Sequence, residues 1–255
     1  MTAKFSVVVP IKDETEILRL SLPSIYALEP HEVVIPIEPN TKSIEIVRKI
    51  ARKNNFQERT KIIVLHEKTP DWSFRQAYAR RRGFREASND LILTTDADII
   101  VDPQIKNHFN LLGKGNIKLV SFSKLTYPVS LRVIMTRLVT KLFSHRPGFT
   151  GLYAFSKSAW QETENEESLK RILRGEDSHL HEALTKKYNV SFVPSVKNIK
   201  LRPTESRRYQ YLVGWYKWKT RRKPLWRVLM HTFVYYRPWV LVGYLKARLG
   251  QGRGS

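Results

Sequence analysis

The sequence predicts an α/β fold built on a mostly parallel sheet flanked by helices. Three observations carry that prediction. Short apolar runs occur at 5–9, 33–37, 61–65 and 91–95, as buried parallel strands require. Between them, at about 14–26, 42–53 and 74–87, apolar residues recur at helical spacing. The length of 255 residues admits one large domain or two small ones.

The elements follow in order. The run at 5–9 ends at Pro10 and is followed by Lys12 and Asp13, so the N-terminus is expected to be a strand and not a secretion signal. The second strand contains Pro36. Strand four ends at Asp96-Ala97-Asp98. Beyond Asp102 a strand is expected at 117–122 and an amphipathic helix at 129–143. In that helix Leu131, Met135, Leu138 and Leu142 share one face, and every charge is positive. A strand at 151–156, a helix at 177–187 and a strand at 190–193 complete the pattern. Residues 1–205 are expected to form the catalytic domain and 206–250 a basic, helical, membrane-associating region. Within it, the apolar stretch 225–245, broken by Arg227, His231, Arg237 and Pro238, should form two short interfacial helices. Residues 251–255 are expected to be a flexible tail. No run reaches the roughly 18 uncharged apolar residues of a membrane span.

Composition narrows the function. With 42% hydrophobic and 27% charged residues the chain can build a core. Zero cysteines exclude disulfides, iron–sulfur clusters, thiolate zinc and cysteine nucleophiles. Lys and Arg number 45 against 23 Asp and Glu, a net charge of +22. Residues 197–255 hold one acid, Glu205, against 15 Lys and Arg, and four of the six tryptophans. Such a segment suits nucleic acid or an anionic membrane surface, besides the plain alternative of a solvated basic face. Carboxylate pairs elsewhere disfavour nucleic acid, since they repel phosphate unless a metal intervenes. The expected location is cytoplasmic, peripheral on the cytoplasmic membrane face.

Asp96 and Asp98, two residues apart at a strand end, can approach one Mg2+ or Mn2+ ion, which takes oxygen ligands and shares them with phosphates. Turns also favour Asp for their own sake. Glu176-Asp177 follows Gly175 and opens a helix. An acid there caps the helix or, in a cleft, accepts a proton. The histidines are expected to be structural or solvated, with His179 and His181 set apart because they closely follow Asp177, although a spacing of two is not a helical metal pair.

Taken together these segments resemble glycosyltransferase family 2. The opening strand with Pro10, Asp13 and Glu14, the acid Glu38, the Ala79–Gly83 stretch, the Asp96-Ala97-Asp98 motif with Asp102-Pro103, the 149–157 strand and the 175–180 stretch follow the family's order and spacing. Glu38-Pro39-Asn40 replaces the usual Asp-Asp-Gly-Ser, and Arg81 stands where the family often has Asn. Residues 210–215 only loosely resemble the box of processive members, so a polymerising synthase is not expected.

The resemblance implies a GT-A fold and an inverting transfer from a nucleotide-diphosphate sugar, UDP- or GDP-linked. It implies that Pro10, Lys12, Asp13, Glu14 and Glu38 line the nucleotide pocket. Asp96 and Ala97 lie near the ribose or sugar, Asp98 holds the metal with Asp96, and Arg80, Arg202 and Arg207 face the leaving diphosphate. Asp177, with Glu176, is the catalytic base. Phe149, Thr150 and Gly151 lie on the acceptor side. The basic aromatic tail points to a lipid-linked acceptor, polyprenyl or dolichyl phosphate or a glycolipid, as in dolichyl-phosphate sugar synthases. The alternatives are a soluble sugar or protein acceptor, a nucleotidyltransferase, and a nucleic-acid-binding protein.

Overall fold

Successive residues of β1 (Phe5–Val8) serve opposite faces of a sheet: Val7 joins one apolar cluster and Val8 the other. The same alternation runs through β2 (Glu32–Ile37), β4 (Leu91–Thr94) and β7 (Tyr153–Ser156). With β3 (Thr60–Val64), β5 (Ile99–Ile100), β6 (Ile117–Thr126) and β8 (Asn189–Lys200) they form a sheet of order β3-β2-β1-β4-β7-β6-β8-β5. The strands β3, β2, β1 and β4 are mutually parallel. Strand β7 runs antiparallel to β4 and β6, and β5 antiparallel to β8. The computed structural model describes residues 4–12, 14–39, 41–66, 72–127, 129, 134, 151–164, 176–201, 207–219, 224–234 and 237–250. Expectations at Asp13, Phe149, Thr150, Arg202, most of 129–143 and 251–255 lie outside them.

Helices α1 (Leu18–Tyr26) and α2 (Thr41–Lys53) and a 3-10 segment, Pro103–Leu111, cover one face through Leu18, Leu22, Val47, Ile105 and Phe109. The other face takes α3 (Trp72–Glu86), α4 (Lys157–Thr163) and α5 (Glu176–Thr185), seated by Phe84, Trp160, Leu180 and Leu184. A β-carbon on Gly83 would clash with Val8 and lie 2.9 Å from Cγ of Pro36. That bare position lets α3 press onto β1 and β2.

Beyond the unexpected β5, α4 and 3-10 segment, an expected helix and an expected strand have other bounds. Helix α1 begins at Leu18, not near 14. Glu14 instead turns back on its own loop and accepts the Lys12 N–H at 2.8 Å, while its carbonyl accepts Ser43 Oγ at 3.0 Å. Strand β8 runs seven residues beyond the expected 193, to Lys200. Asn198 supports that extension by accepting the Asp102 N–H at 2.8 Å and donating to Ser123 O at 2.8 Å.

The chain divides into two units, Met1–Leu125 with Phe149–Leu201, and Thr126–Gly148 with Arg202–Ser255. The second contains α6 (Arg207–Lys219), α7 (Leu225–Val234) and α8 (Pro238–Leu249). Val228, Val240 and Tyr244 form its buried cluster, with Val213, Trp218, Leu225 and Leu241 against it. Helices α6 and α8 meet backbone to backbone. A β-carbon on Gly214 would collide with the Val240 carbonyl, and one on Gly243 with the Tyr211 carbonyl. Trp226, Met230 and Phe233 stay exposed along α7, as do Trp239, Val242, Leu245 and Leu249 along α8. Among the described residues no helix is long and apolar enough to cross a membrane.

Candidate active site

The chain runs outward from β1 to β2 and β3, then returns to place β4 on β1's other side. Such a reversal opens a crevice between the carboxyl ends of the two central strands, the usual ligand position in an open parallel sheet. Here Pro10–Lys12 and Glu14 follow β1, and Asp96–Asp98 follow β4. Glu38 lies beside them, since its N–H donates to Ile11 O at 3.1 Å and Ile11 bridges Ile37. Pro10, Glu14 and Glu38 are half-buried and Lys12 is exposed.

The acid turn is held from several directions. Ser21 Oγ of α1 donates to Ala97 O at 2.6 Å, and Ser24 Oγ accepts the Val101 N–H at 3.0 Å. The Leu201 N–H at the end of β8 donates to Asp98 O at 2.8 Å. Asp102 accepts Gln104 N at 2.9 Å, which caps the 3-10 segment, and Lys197 N at 2.7 Å, which ties it to β8.

Around the carboxylates the charges are ordered. Arg80 Nη2 pairs with Asp96 Oδ1, and Gln76, one turn earlier on α3, donates to that oxygen at 3.2 Å. Lys200 Nζ lies 3.5 Å from Asp96 Oδ2 and 3.8 Å from Asp98 Oδ2. Burial alone would raise the Asp96 carboxyl. Arg80, then Lys200 and Lys124, outweigh it and bring it from 3.8 down to about 2. Asp96 is therefore ionised at any ordinary pH. Gly151, before β7, has φ +64°, and a β-carbon there would lie 2.9 Å from Asp96 Oδ2. A side chain at 151 would thus press on the acid, and the left-handed backbone also favours glycine.

The structure brings together Asp96, Ala97, Asp98, Arg80 and Gly151 at one place. Arg80 is 2% exposed, so it is a buried counter-ion beneath Asp96 and does not face open space for a leaving diphosphate. A carboxylate this deep needs a paired cation, which explains the departure from expectation. Arg207 opens α6 in the second unit, its guanidinium 5.7 Å from the Trp239 ring centroid. Glu176 and Asp177 begin α5, and their side chains lie outside the described residues. Gln76, Lys200, Ser21 and Ser24 are not among the expected residues. Gln76 was within reach of the sequence, because it precedes Arg80 by one helical turn. Lys200 was not, because a strand 104 residues from Asp96 delivers it.

Do these residues suit a divalent ion? Two carboxylate oxygens, one from each acid, already face a single cation, the Lys200 ammonium. A hard ion that takes oxygen ligands and shares phosphate fits the same donors. Among the described residues no group of three His, Cys, Asp or Glu side chains converges.

Comparisons with known proteins agree with this architecture. The family model for glycosyl transferase family 2 matches residues 6–158. No curated protein sequence matches the chain. Among solved structures, the mannosyltransferase PcManGT of Pyrobaculum calidifontis, in complex with GDP-Man and Mn2+, superposes with TM-score 0.66 at 18% identity, covering 100% of this chain and 77% of that one. S. aureus TarS 1–349 gives TM-score 0.57 at 14% identity over 98% and 73% of the two chains. Glucosyl-3-phosphoglycerate synthase of Mycobacterium tuberculosis, in complex with Mn2+, UDP-glucose and phosphoglyceric acid, gives TM-score 0.51 at 16% identity over 79% and 73%.

Proposed function

The chain belongs to glycosyl transferase family 2, and from that premise we propose an inverting sugar transfer from a nucleoside-diphosphate donor to a lipid-linked acceptor at an anionic membrane surface. That it is a nucleotide-sugar glycosyltransferase with the GT-A fold follows from the family match and its structural neighbours. The observation that carries the donor half of the proposal is the pair Asp96 and Asp98 converging on one cation at the crevice between β1 and β4. Pro10, Lys12, Asp13, Glu14 and Glu38 line the nucleotide end of that crevice in this reading, with Ala97 in the floor of the turn. Neighbours hold GDP-Man or UDP-glucose with Mn2+, which supports Mn2+ or Mg2+ here.

When bound, the ion supplies Lewis-acid neutralisation of the departing diphosphate. The protein does the rest. Asp98 and Asp96 would provide its oxygen ligands; Arg80 keeps the Asp96 carboxylate ionised and Gln76 donates a hydrogen bond to it. Gly151 leaves room beside that acid, on the acceptor side with Phe149 and Thr150. Asp177, helped by Glu176 at the same helix start, accepts the proton of an acceptor hydroxyl. The acceptor oxygen bonds to the sugar's C1 from the face opposite the diphosphate. The C1–O bond breaks, and its electron pair stays on the nucleoside diphosphate. With a polyprenyl phosphate the attacking oxygen is already largely ionised, the second pKa being about 6, and Asp177 then orients it.

The lipid half draws on the second unit, where exposed Trp226, Met230, Phe233 and Trp239 stand among Arg227, Lys246 and Arg248. Aromatic and basic side chains together suit the headgroup layer. A soluble acceptor is the second reading, favoured by the neighbour that binds phosphoglyceric acid. Transfer assays decide between them. Labelled sugar should pass to polyprenyl phosphate in anionic vesicles, and Asp98→Ala should lower the rate at least about 100-fold. Transfer only to water-soluble acceptors would refute the lipid acceptor, and full activity of Asp98→Ala would refute the metal role.

A further inference from the structure

Lys200 is the last residue of β8, paired across the ladder with Ile99, the residue after Asp98. The Leu201 N–H to Asp98 O bond pins that register. The β8 backbone therefore delivers the ammonium to the acid pair. Its distances of 3.5 Å to Asp96 Oδ2 and 3.8 Å to Asp98 Oδ2 exceed the roughly 2.7–2.9 Å of a tight charged hydrogen bond. The ammonium donates a long hydrogen bond to Asp96 Oδ2 and sits on a flexible four-carbon stem. Arg80 differs in kind: it is 2% exposed and paired with the other oxygen, Asp96 Oδ1. One cation is buried, while the other is about a quarter exposed, at 27%.

Resting on the metal reading above, we propose that Lys200 is the enzyme's own placeholder cation. Before the donor arrives its ammonium occupies the position between Asp96 and Asp98 that the divalent ion takes. When ion and donor enter, it turns from the carboxylates to the diphosphate. Two positive groups cannot share two carboxylates at such range without repulsion, whereas the diphosphate brings the negative charge that lets both stay. The ion alone therefore binds weakly, and ion and nucleotide bind together. Lys200 is a positioning residue in the donor-free state and a diphosphate contact in the loaded one.

Mn2+ binding measured by the electron paramagnetic resonance of the free ion tests this without any turnover. The proteins are the full chain and its Lys200→Met, Lys200→Gln and Lys200→Arg variants, each with and without UDP or GDP. Circular dichroism checks folding, and the Gln variant serves if Met perturbs it. Without nucleotide, the Met and Gln variants are expected to bind Mn2+ at least about tenfold more tightly than the wild type, and Arg to resemble the wild type. With Mn2+ present, the Met and Gln variants are expected to bind nucleoside diphosphate more weakly. If the wild type takes up Mn2+ with nucleotide but the Met and Gln variants show unchanged donor-free affinity, the role given to Lys200 is overturned while the metal reading stands. If no protein binds Mn2+ even with nucleotide, both are overturned.

Discussion

Asp96 sits where burial and charge pull in opposite directions. Its carboxyl is only 16% exposed, yet Arg80, Lys200 and Lys124 keep it ionised, with a pKa of about 2. The folded value lies below the ordinary 3.8, so its stabilisation is complete above about pH 4 and is lost as pH falls through 2. Removing the buried partner should expose this balance. Arg80→Met is expected to cost about 3 kcal/mol at pH 7, because a buried charge loses its fixed counter-ion. Adding Asp96→Asn should recover much of that loss, and the penalty of Arg80→Met should shrink near pH 3 as the acid protonates. Thermal melts of the single and double variants at both pH values measure it. An equal penalty at both would show that Arg80 acts by packing alone. Sequence alone placed Asp96 and Asp98 correctly at a strand end, since an apolar run followed by two acids has few other readings. It did not reveal that Arg80 faces inward. Arg80, Arg81 and Arg82 stand in an unbroken row, and nothing distinguishes the three cations until the sheet is laid against the helix.

At the scale of elements, the order of β1 to β4 and α1 to α3 was legible because strand and helix periods differ so plainly. Shorter and longer pieces escaped for identifiable reasons. Helix α4 has only seven residues, too few to show a period. Pro194 hides the continuity of β8, although that strand runs through it. Helix α6 lacks an apolar stripe of the usual kind, since its buried positions include Gln210 and Gly214. The crossing of α6 on α8 leads to a sharp expectation. Gly214→Val should unfold the second unit's helical packing, seen as lost helical circular dichroism and a lowered melting transition. The same substitution at exposed Gly250, where a β-carbon meets nothing within 4 Å, should change little. Similar effects at both positions would mean that the close crossing contributes nothing to stability.

On the scale of the whole molecule, the net charge of +22 and the outward aromatics of α7 and α8 bear on partners. Flotation with anionic vesicles at low salt should carry the protein upward. Triple replacement of Trp226, Met230 and Phe233 by Ser should reduce recovery severalfold. Added salt should weaken binding further as lipid charges are screened. Neutral and anionic vesicles giving equal recovery would remove the electrostatic part of the membrane reading. Neither the donor's base nor its sugar was legible, because Glu38-Pro39-Asn40 departs in residue type from the family's usual Asp-Asp-Gly-Ser.

The crossing at Gly214 and Gly243 has a genetic counterpart. Where carbonyl and α-carbon touch with no atom to spare, hydrogen is the sole tolerated substituent. A saturation library screened merely for intact protein, with no demand on catalysis, should therefore retain glycine codons at these two sites while their exposed neighbours drift. Such depletion would chart the C-terminal packing without any substrate in hand.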